Sequence, residues 1–401
     1  MTYNNSLKYI MSLSDASGGG AERIRAILSA LESPQRQLRS IHICGDAGKN
    51  SSAEMLSSIL LEGEFSVGVY SLAYASDIRE RIKVGGKIIP HAEFAEAVKK
   101  IADITGPDSL NIPLSKEEAL FLIALLYFEK TGCELAVFER DISANDSNVL
   151  APPLLSVITS FLDNTPLSFE NIIHRGTRET VTCIQHKDTY TAISDACASV
   201  GSRLTLPIYG EVEVKKISLF KTIFSYRNTE CSIATFSPCQ ILNAITVIEA
   251  AHALCRVGVN ISEEAISRGL SKANLSLKCE VVSVEPTIIV ASATNEKQIE
   301  ALAASLAQVK EHLPSKISVF SPPSSDRLVR DISQRLLSCE IETGAVTLIE
   351  DSSSSLFKRQ IKDIITPVMR VEQSNDALLF IGEREYVFEL VIQIRKNLGN
   401  M

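Results

Sequence analysis

Glycines at 45 and 48, Lys49 and Ser51, all within "GDAGKNS", are residue types that can hold a phosphate. Glycines let backbone N–H groups approach an anion, an ammonium adds charge, and a serine hydroxyl can face a divalent cation. Asp46 in the same turn brings a like charge, which within about 4 Å of a phosphate costs roughly 1 to 4 kcal/mol per charge pair unless the side chain turns outward. A general phosphate loop also has a glycine two residues before Gly45, where this chain has Ile43. From these residues alone the turn is either a phosphate seat or an ordinary strand-to-helix turn capped by Asn50 or Ser51.

Such a turn has to be set by a strand before it and a helix after it. "SIHICG" is a short apolar run, and residues 51 to 62 repeat with helical period. The alternation continues through "FSVGVYSL", "HAEFAEAVKKIAD", "KEEALFLIALLYFEKTG", "ELAVFER" and "LLSVITSFL". This is the pattern of a doubly wound α/β fold with a parallel sheet, whose ligands sit beyond the carboxyl ends of the strands. "RETVTCIQHKDTYTAISDACASVGSRLTLP" adds a strand, a helix and a strand, and "YGEVEVKKISLFKTIFSYRNTECSIATF" alternates as antiparallel strands. A long helix is expected from Gln240 to Val257. Strand-helix alternation restarts at "TIIVASATNEKQIEALAASLAQVK", so the pattern divides the chain into a larger domain over 1–285 and a smaller α/β domain over 286–401.

With 401 residues, 45% of them hydrophobic, the chain can bury more than one core. A net charge of −8 without any Lys/Arg run gives no footprint for nucleic acid. The nine cysteines are scattered without a C-x-x-C pair, and the six histidines show no i, i+4 pairing, so neither a disulfide framework nor a zinc or Cys-His site is signalled. No secretory signal opens the chain, and no apolar run approaches the ~18 residues that span a bilayer. The expectation is a cytoplasmic monomer without a membrane or nucleic-acid partner.

The order of "GGGAERIRAILSALESPQRQLRSIHICGDAGKNSSAEMLSSIL", "YSLAYASDIRERIKVGGKIIPHAEFAEAV", "ELAVFE", "LLSVITSFLDNT", "CQILNAITVIEAA", "SLKCEVVS" and "ASATNEKQIEALAASL" resembles the successive motifs of the folylpolyglutamate synthase and dihydrofolate synthase branch of the Mur ligases. "RERIKVGGKIIP" is the most specific phrase. The resemblance is clear over about residues 5 to 310 and weak in the tail. It implies a larger N-terminal domain of phosphate-loop type, a smaller C-terminal α/β domain, and an enzyme that uses ATP and Mg2+ to turn a folate carboxyl group into an acyl phosphate for attack by glutamate.

Position by position the resemblance is uneven. Against the family's Gly-Thr-Asn-Gly-Lys-Gly-Ser, Gly45, Gly48, Lys49 and Ser51 match, while Asp46, Ala47 and Asn50 depart. It assigns Gly45, Gly48, Lys49, Asn50, Ser51, Asn243, Lys278 and Asn295 to nucleotide, and Ser51 and Glu139 to metal. Any magnesium is then expected to be held through bound phosphate, Ser51 and Glu139. The family's Leu-Asp-His-Thr is "LDNT", with Asn164 for the histidine, and its carbamylated lysine falls on Phe169 in "SFENIIHRG". Phenylalanine can neither form a carbamate nor ligate a metal. Lys278 replaces an arginine, Ala291 and Thr294 replace the Asp and His of the C-terminal motif, and "SLAY" at 71 to 74 replaces Thr-Ser-Pro-His on the folate side. No residue is assigned a catalytic role. Two readings stand: a divergent ATP-dependent ligase acting on a folate-type or other small acid, weak or inactive, and a pseudoenzyme of the same fold with a nucleotide- or protein-binding role.

Overall fold

Strand β1 (Arg39–Cys44) is buried along all but its first residue, the pattern of a strand covered on both faces. The computed structural model describes residues 1–14, 21–74, 76–142, 150, 152–161, 168–275, 279–350, 352, 354, 356–369 and 376–399. They fall into two compact units, one of 1–209 with 243–270 and one of 210–242 with 271–401.

In the first unit β1 joins β2 (Val67–Tyr70), β3 (Ile82–Val84), β4 (Lys87–Ile88), β5 (Leu135–Glu139), β6 (Leu155–Ile158), β7 (Glu179–Thr182) and β8 (Arg203–Thr205). Among the described residues these form one sheet in the order β4-β3-β2-β5-β1-β6-β7-β8. β1 runs parallel to β5 and β6, with Ile43 level with Glu139 and Cys44 level with Ile158. Only the β2-β3-β4 edge is antiparallel. The helices are α1 (Tyr3–Ser12), α2 (Ala21–Ala30), α3 (Lys49–Glu62), α4 (His91–Thr105), α5 (Lys116–Lys130), α6 (Lys187–Val200), α7 (Cys239–Arg256) and α8 (Glu263–Lys272). The division between the units falls inside α7.

α5 starts at a capping box in which Ser115 and Glu118 satisfy each other's backbone N–H groups. Its run from Ala119 to Leu126 is buried all round, which explains why its hydrophobicity shows so little amphipathic period. Phe121 and Phe128 lie 5.7 and 5.9 Å from the Phe138 ring of β5, centre to centre. Alternation along β5 therefore turns Glu139 to the opposite face, where α3 lies.

The second unit holds a meander, β9 (Val212–Ser218), β10 (Lys221–Tyr226) and β11 (Thr229–Ile233), and a sheet of β12 (Glu280–Val284), β13 (Thr287–Ser292), β14 (Lys316–Ser321), β15 (Glu342–Leu348) and β16 (Asp376–Gly382). The sheet order is β12-β13-β16-β14-β15, parallel except for β12. On one face α9 (Glu296–Gln308) and α10 (Asp326–Ser338) pack through Ile299, Leu302, Ile332 and Leu336 onto Ile289, Ile317 and Leu379. The sheet begins at Glu280, before the cut at 286 that the sequence pattern suggested, because β12 and β13 form an antiparallel pair across Glu285 and Pro286. The meander likewise packs with this unit. No helix among the described residues is long and apolar enough to cross a membrane.

Candidate functional site

The turn after β1 is held from the neighbouring strand. The N–H groups of Asp46 and Ala47 both donate to the carbonyl of Ser160, at 2.9 and 3.0 Å, and the Thr159 hydroxyl donates to the carbonyl of Cys44 at 3.0 Å. Gly45 has φ +137°, and a Cβ there would meet Thr159 Oγ1 at 2.3 Å and its backbone carbon at 2.9 Å. Gly48, the N-cap of α3, has φ +90°, with Asn243 Oδ1 at 2.5 Å from where a Cβ would stand. Gly45 is fixed as glycine by its positive φ and by the close approach of the Thr159 backbone, and Gly48 is favoured as glycine chiefly by its positive φ.

With those two N–H groups committed to Ser160, the donors left for an anion are those of the first turn of α3, which a helix leaves without intrahelical partners. No side chain caps that end and no acid lies in its first turn. Lys49, its first residue, takes no hydrogen-bond or ion-pair partner among the described residues. Its charge is felt by the buried Cys44 thiol, which burial pushes up to about 12 while Lys49 opposes the rise. Asp46 is exposed. Two glycines, one ammonium and an open helix N-terminus fit a phosphate group.

The same surroundings do not fit a divalent cation. Glu139 is 1% exposed, and both its oxygens accept from nitrogen: Oε1 from Asn50 Nδ2 at 2.8 Å and Oε2 from the Leu72 N–H at 3.1 Å. Ser51 is buried in the first turn of α3. Phe169, 2% exposed, packs with Cys44, Ile158, Phe161 and Ile172, its ring 5.6 Å from that of Phe161. An apolar cluster thus occupies the position that the resemblance gives to a metal-binding lysine. Among the described residues no group of three or more His, Cys, Asp or Glu could hold a metal.

The structure therefore brings together Gly45, Gly48, Lys49, Asn50, Ser51, Glu139 and Asn243 in the first unit. Asn295 belongs to the second unit, where its side chain caps α9 by accepting from the Gln298 N–H at 3.0 Å. Lys278 and Asn164 lie outside the described residues.

Two buried cations were missed by sequence reasoning. Arg81 donates through Nε to the Ser71 carbonyl at 2.9 Å, through Nη1 to Glu117 at 2.8 Å and through Nη2 to the Tyr70 hydroxyl at 3.0 Å. It thereby fixes the start of the 71–74 segment whose Leu72 N–H reaches Glu139. Its only sequence signal is membership of "RERIKVGGKIIP". Arg140 lies 4.9 Å over the Phe121 ring, and with burial it holds His42 well below the usual imidazole range and His174 below it as well.

Two comparisons with known proteins, one by sequence and one by structure, point the same way. The dihydrofolate synthase/folylpolyglutamate synthase of Bacillus subtilis is 27% identical over 421 residues, covering 92% of this chain and 94% of that protein. The probable bifunctional folylpolyglutamate synthase/dihydropteroate synthase of Haloferax volcanii is 25% identical over 299 residues, 69% of this chain but 35% of that longer protein. A folylpolyglutamate synthase solved with AMPPCP and folate superposes with a TM-score of 0.79 at 22% identity, covering 98% of this chain and 99% of that one. No family model matches the chain. The shared fold, with its N-terminal parallel-sheet domain and C-terminal α/β domain, and the relatives found by sequence carry one conclusion: the chain is similar over nearly its whole length to proteins of the folylpolyglutamate synthase and dihydrofolate synthase branch of the Mur ligases.

Proposed function

We propose that the chain binds the triphosphate of ATP weakly at the 45–51 turn and turns over little or no acid–glutamate ligation. The observation that carries this reading is Phe169, buried in an apolar cluster with Cys44 and Phe161 at the position where the branch places its carbamylated lysine. Gly45, Gly48, Lys49, Asn50 and Ser51 receive the phosphates, with Lys49 supplying the charge and Asn243 backing Gly48. Lys278 and Asn295 are the residues that the resemblance assigns to the rest of the nucleotide. Lys49 and the N–H groups of α3 would bind and orient the polyphosphate.

A working ligase is the second reading. It is favoured by the near full-length match to the Bacillus subtilis synthase and by an AMPPCP- and folate-bound relative of the same fold, which would bring a folate-type or other small acid to this chain as substrate. Release of ADP that depends on a folate acid and on glutamate separates the two. Its absence, with ATP binding retained, supports the first reading; its presence establishes the second.

A further inference from the structure

Glu139 sits on the α3 face of the sheet at the end of β5, where an ionised carboxylate beside a phosphate seat has two physical solutions. One is a divalent cation shared with the phosphate. The other is a set of N–H donors that neutralise the carboxylate locally without a cation. Here Asn50, in the first turn of α3, turns its Nδ2 onto Oε1 at 2.8 Å, and the Leu72 N–H closes Oε2 at 3.1 Å. The family loop has glycine at the position of Asn50, so the donor comes with a side chain that the resemblance does not predict.

We propose that this loop receives polyphosphate directly, without a divalent cation, because the Asn50 amide takes the place beside Glu139 that the cation would need. The proposal rests on the nucleotide-binding reading above and specifies its ionic requirement. An N–H donor presents the positive end of its dipole along the lone pairs that a cation would use. To ligate magnesium, which demands oxygen ligands in near-octahedral array, the carboxylate would have to release an amide into a buried setting and leave it without that acceptor. Nothing else described compensates: Phe169 offers only carbon at 2% exposure, and no cluster of three metal-binding side chains is present among the described residues. Charge on the phosphates is left to Lys49 and the N-terminus of α3, neither of which needs a metal.

The test measures ATP binding by ligand-observed NMR in magnesium and again in EDTA. For the wild-type chain the two dissociation constants should agree within about twofold. Asn50→Gly, which removes the amide, should restore preference for the magnesium complex by about tenfold or more, with circular dichroism melting used to verify that it folds. A second readout needs no nucleotide: Mn2+ titration followed by electron paramagnetic resonance should show no uptake that Glu139→Gln removes. Wild-type binding that requires magnesium, or Glu139-dependent Mn2+ uptake, overturns the proposal while leaving nucleotide binding intact. Absence of ATP binding in both conditions overturns the nucleotide reading and the proposal together.

Discussion

Asn50 of α3 and Glu139 of β5, 89 residues apart in sequence, are joined by a hydrogen bond of 2.8 Å from the amide to the carboxylate. The bond ties the first turn of the helix to the end of the neighbouring strand, and it ends on a carboxylate that is 1% exposed. Hydrogen bonds to buried charges contribute about 1.5 to 3 kcal/mol. Asn50→Ala should lower the free energy of unfolding of the first unit by about that amount, read as a shift in the urea midpoint. A change confined to a few tenths would mean that the bond does not form.

The two glycines of the turn should differ in their tolerance of a methyl group. A Cβ on Gly45 meets the backbone of Thr159, which cannot move without disturbing β6, whereas on Gly48 it meets the end of the Asn243 side chain, which can turn away. Gly45→Ala should cost about 3 kcal/mol or more, and Gly48→Ala about 1 to 2, chiefly from its φ of +90°. Thermal unfolding of the two variants checks the order; Gly201→Ala, with φ +73° and nothing within 4 Å, reports the backbone strain alone.

His42 is wholly buried with neither ring nitrogen hydrogen-bonded, and burial, then Arg140 and His174, lower its pKa well below 6.5. A depressed folded pKa means that the unfolded chain takes up the proton first. Stability is therefore complete above pH 6.5 and falls as the pH drops below it, by about 1.4 kcal/mol per pH unit for one proton. His174, also lowered by burial, adds to the same fall. His42→Phe should flatten the slope of stability against pH between about 6.5 and 5 by close to one proton. An unchanged slope in urea titrations over that range would show that His42 does not titrate on unfolding.

Restoring the family's lysine should not restore its chemistry. Phe169→Lys places an ammonium among Cys44, Ile158, Phe161 and Ile172, which should cost about 3 kcal/mol or more. Stability and Mn2+ uptake are the two measurements. A variant that remains as stable as the wild type and gains a bound metal would show that the cluster is a vacant metal site rather than a core.

Much of this was legible from residue order. The apolar runs "SIHICG" and "ELAVFER" mark β1 and β5, the 3.6 period of "HAEFAEAVKKIAD" marks α4, and the Gly-Lys-Ser turn marks the start of α3. What pattern could not supply were the long-range partners. The Asn50–Glu139 bond exists because β5 lies beside β1 in the sheet, a neighbour relation that no local window contains. Ser160, which anchors the turn, is 114 residues beyond Asp46, and Arg81 looks like any charged residue until Tyr70, Ser71 and Glu117 are seen around it. The restart of strand-helix alternation after Pro286 suggested a division there; β12 pairs with β13 across that proline, and the partner of a strand is not contained in the local pattern.

Calorimetric titration of the chain with ATP, paired with an assay for ADP release in the presence of folate and glutamate, tests most directly whether the 45–51 turn still binds nucleotide without driving ligation. The expected result is binding in the high micromolar range or weaker, about −5 kcal/mol or less favourable, abolished by Lys49→Ala and accompanied by no glutamate-dependent ADP release. Low-micromolar binding that Lys49→Ala abolishes, together with folate- and glutamate-dependent release of ADP, would contradict it and establish a working ligase.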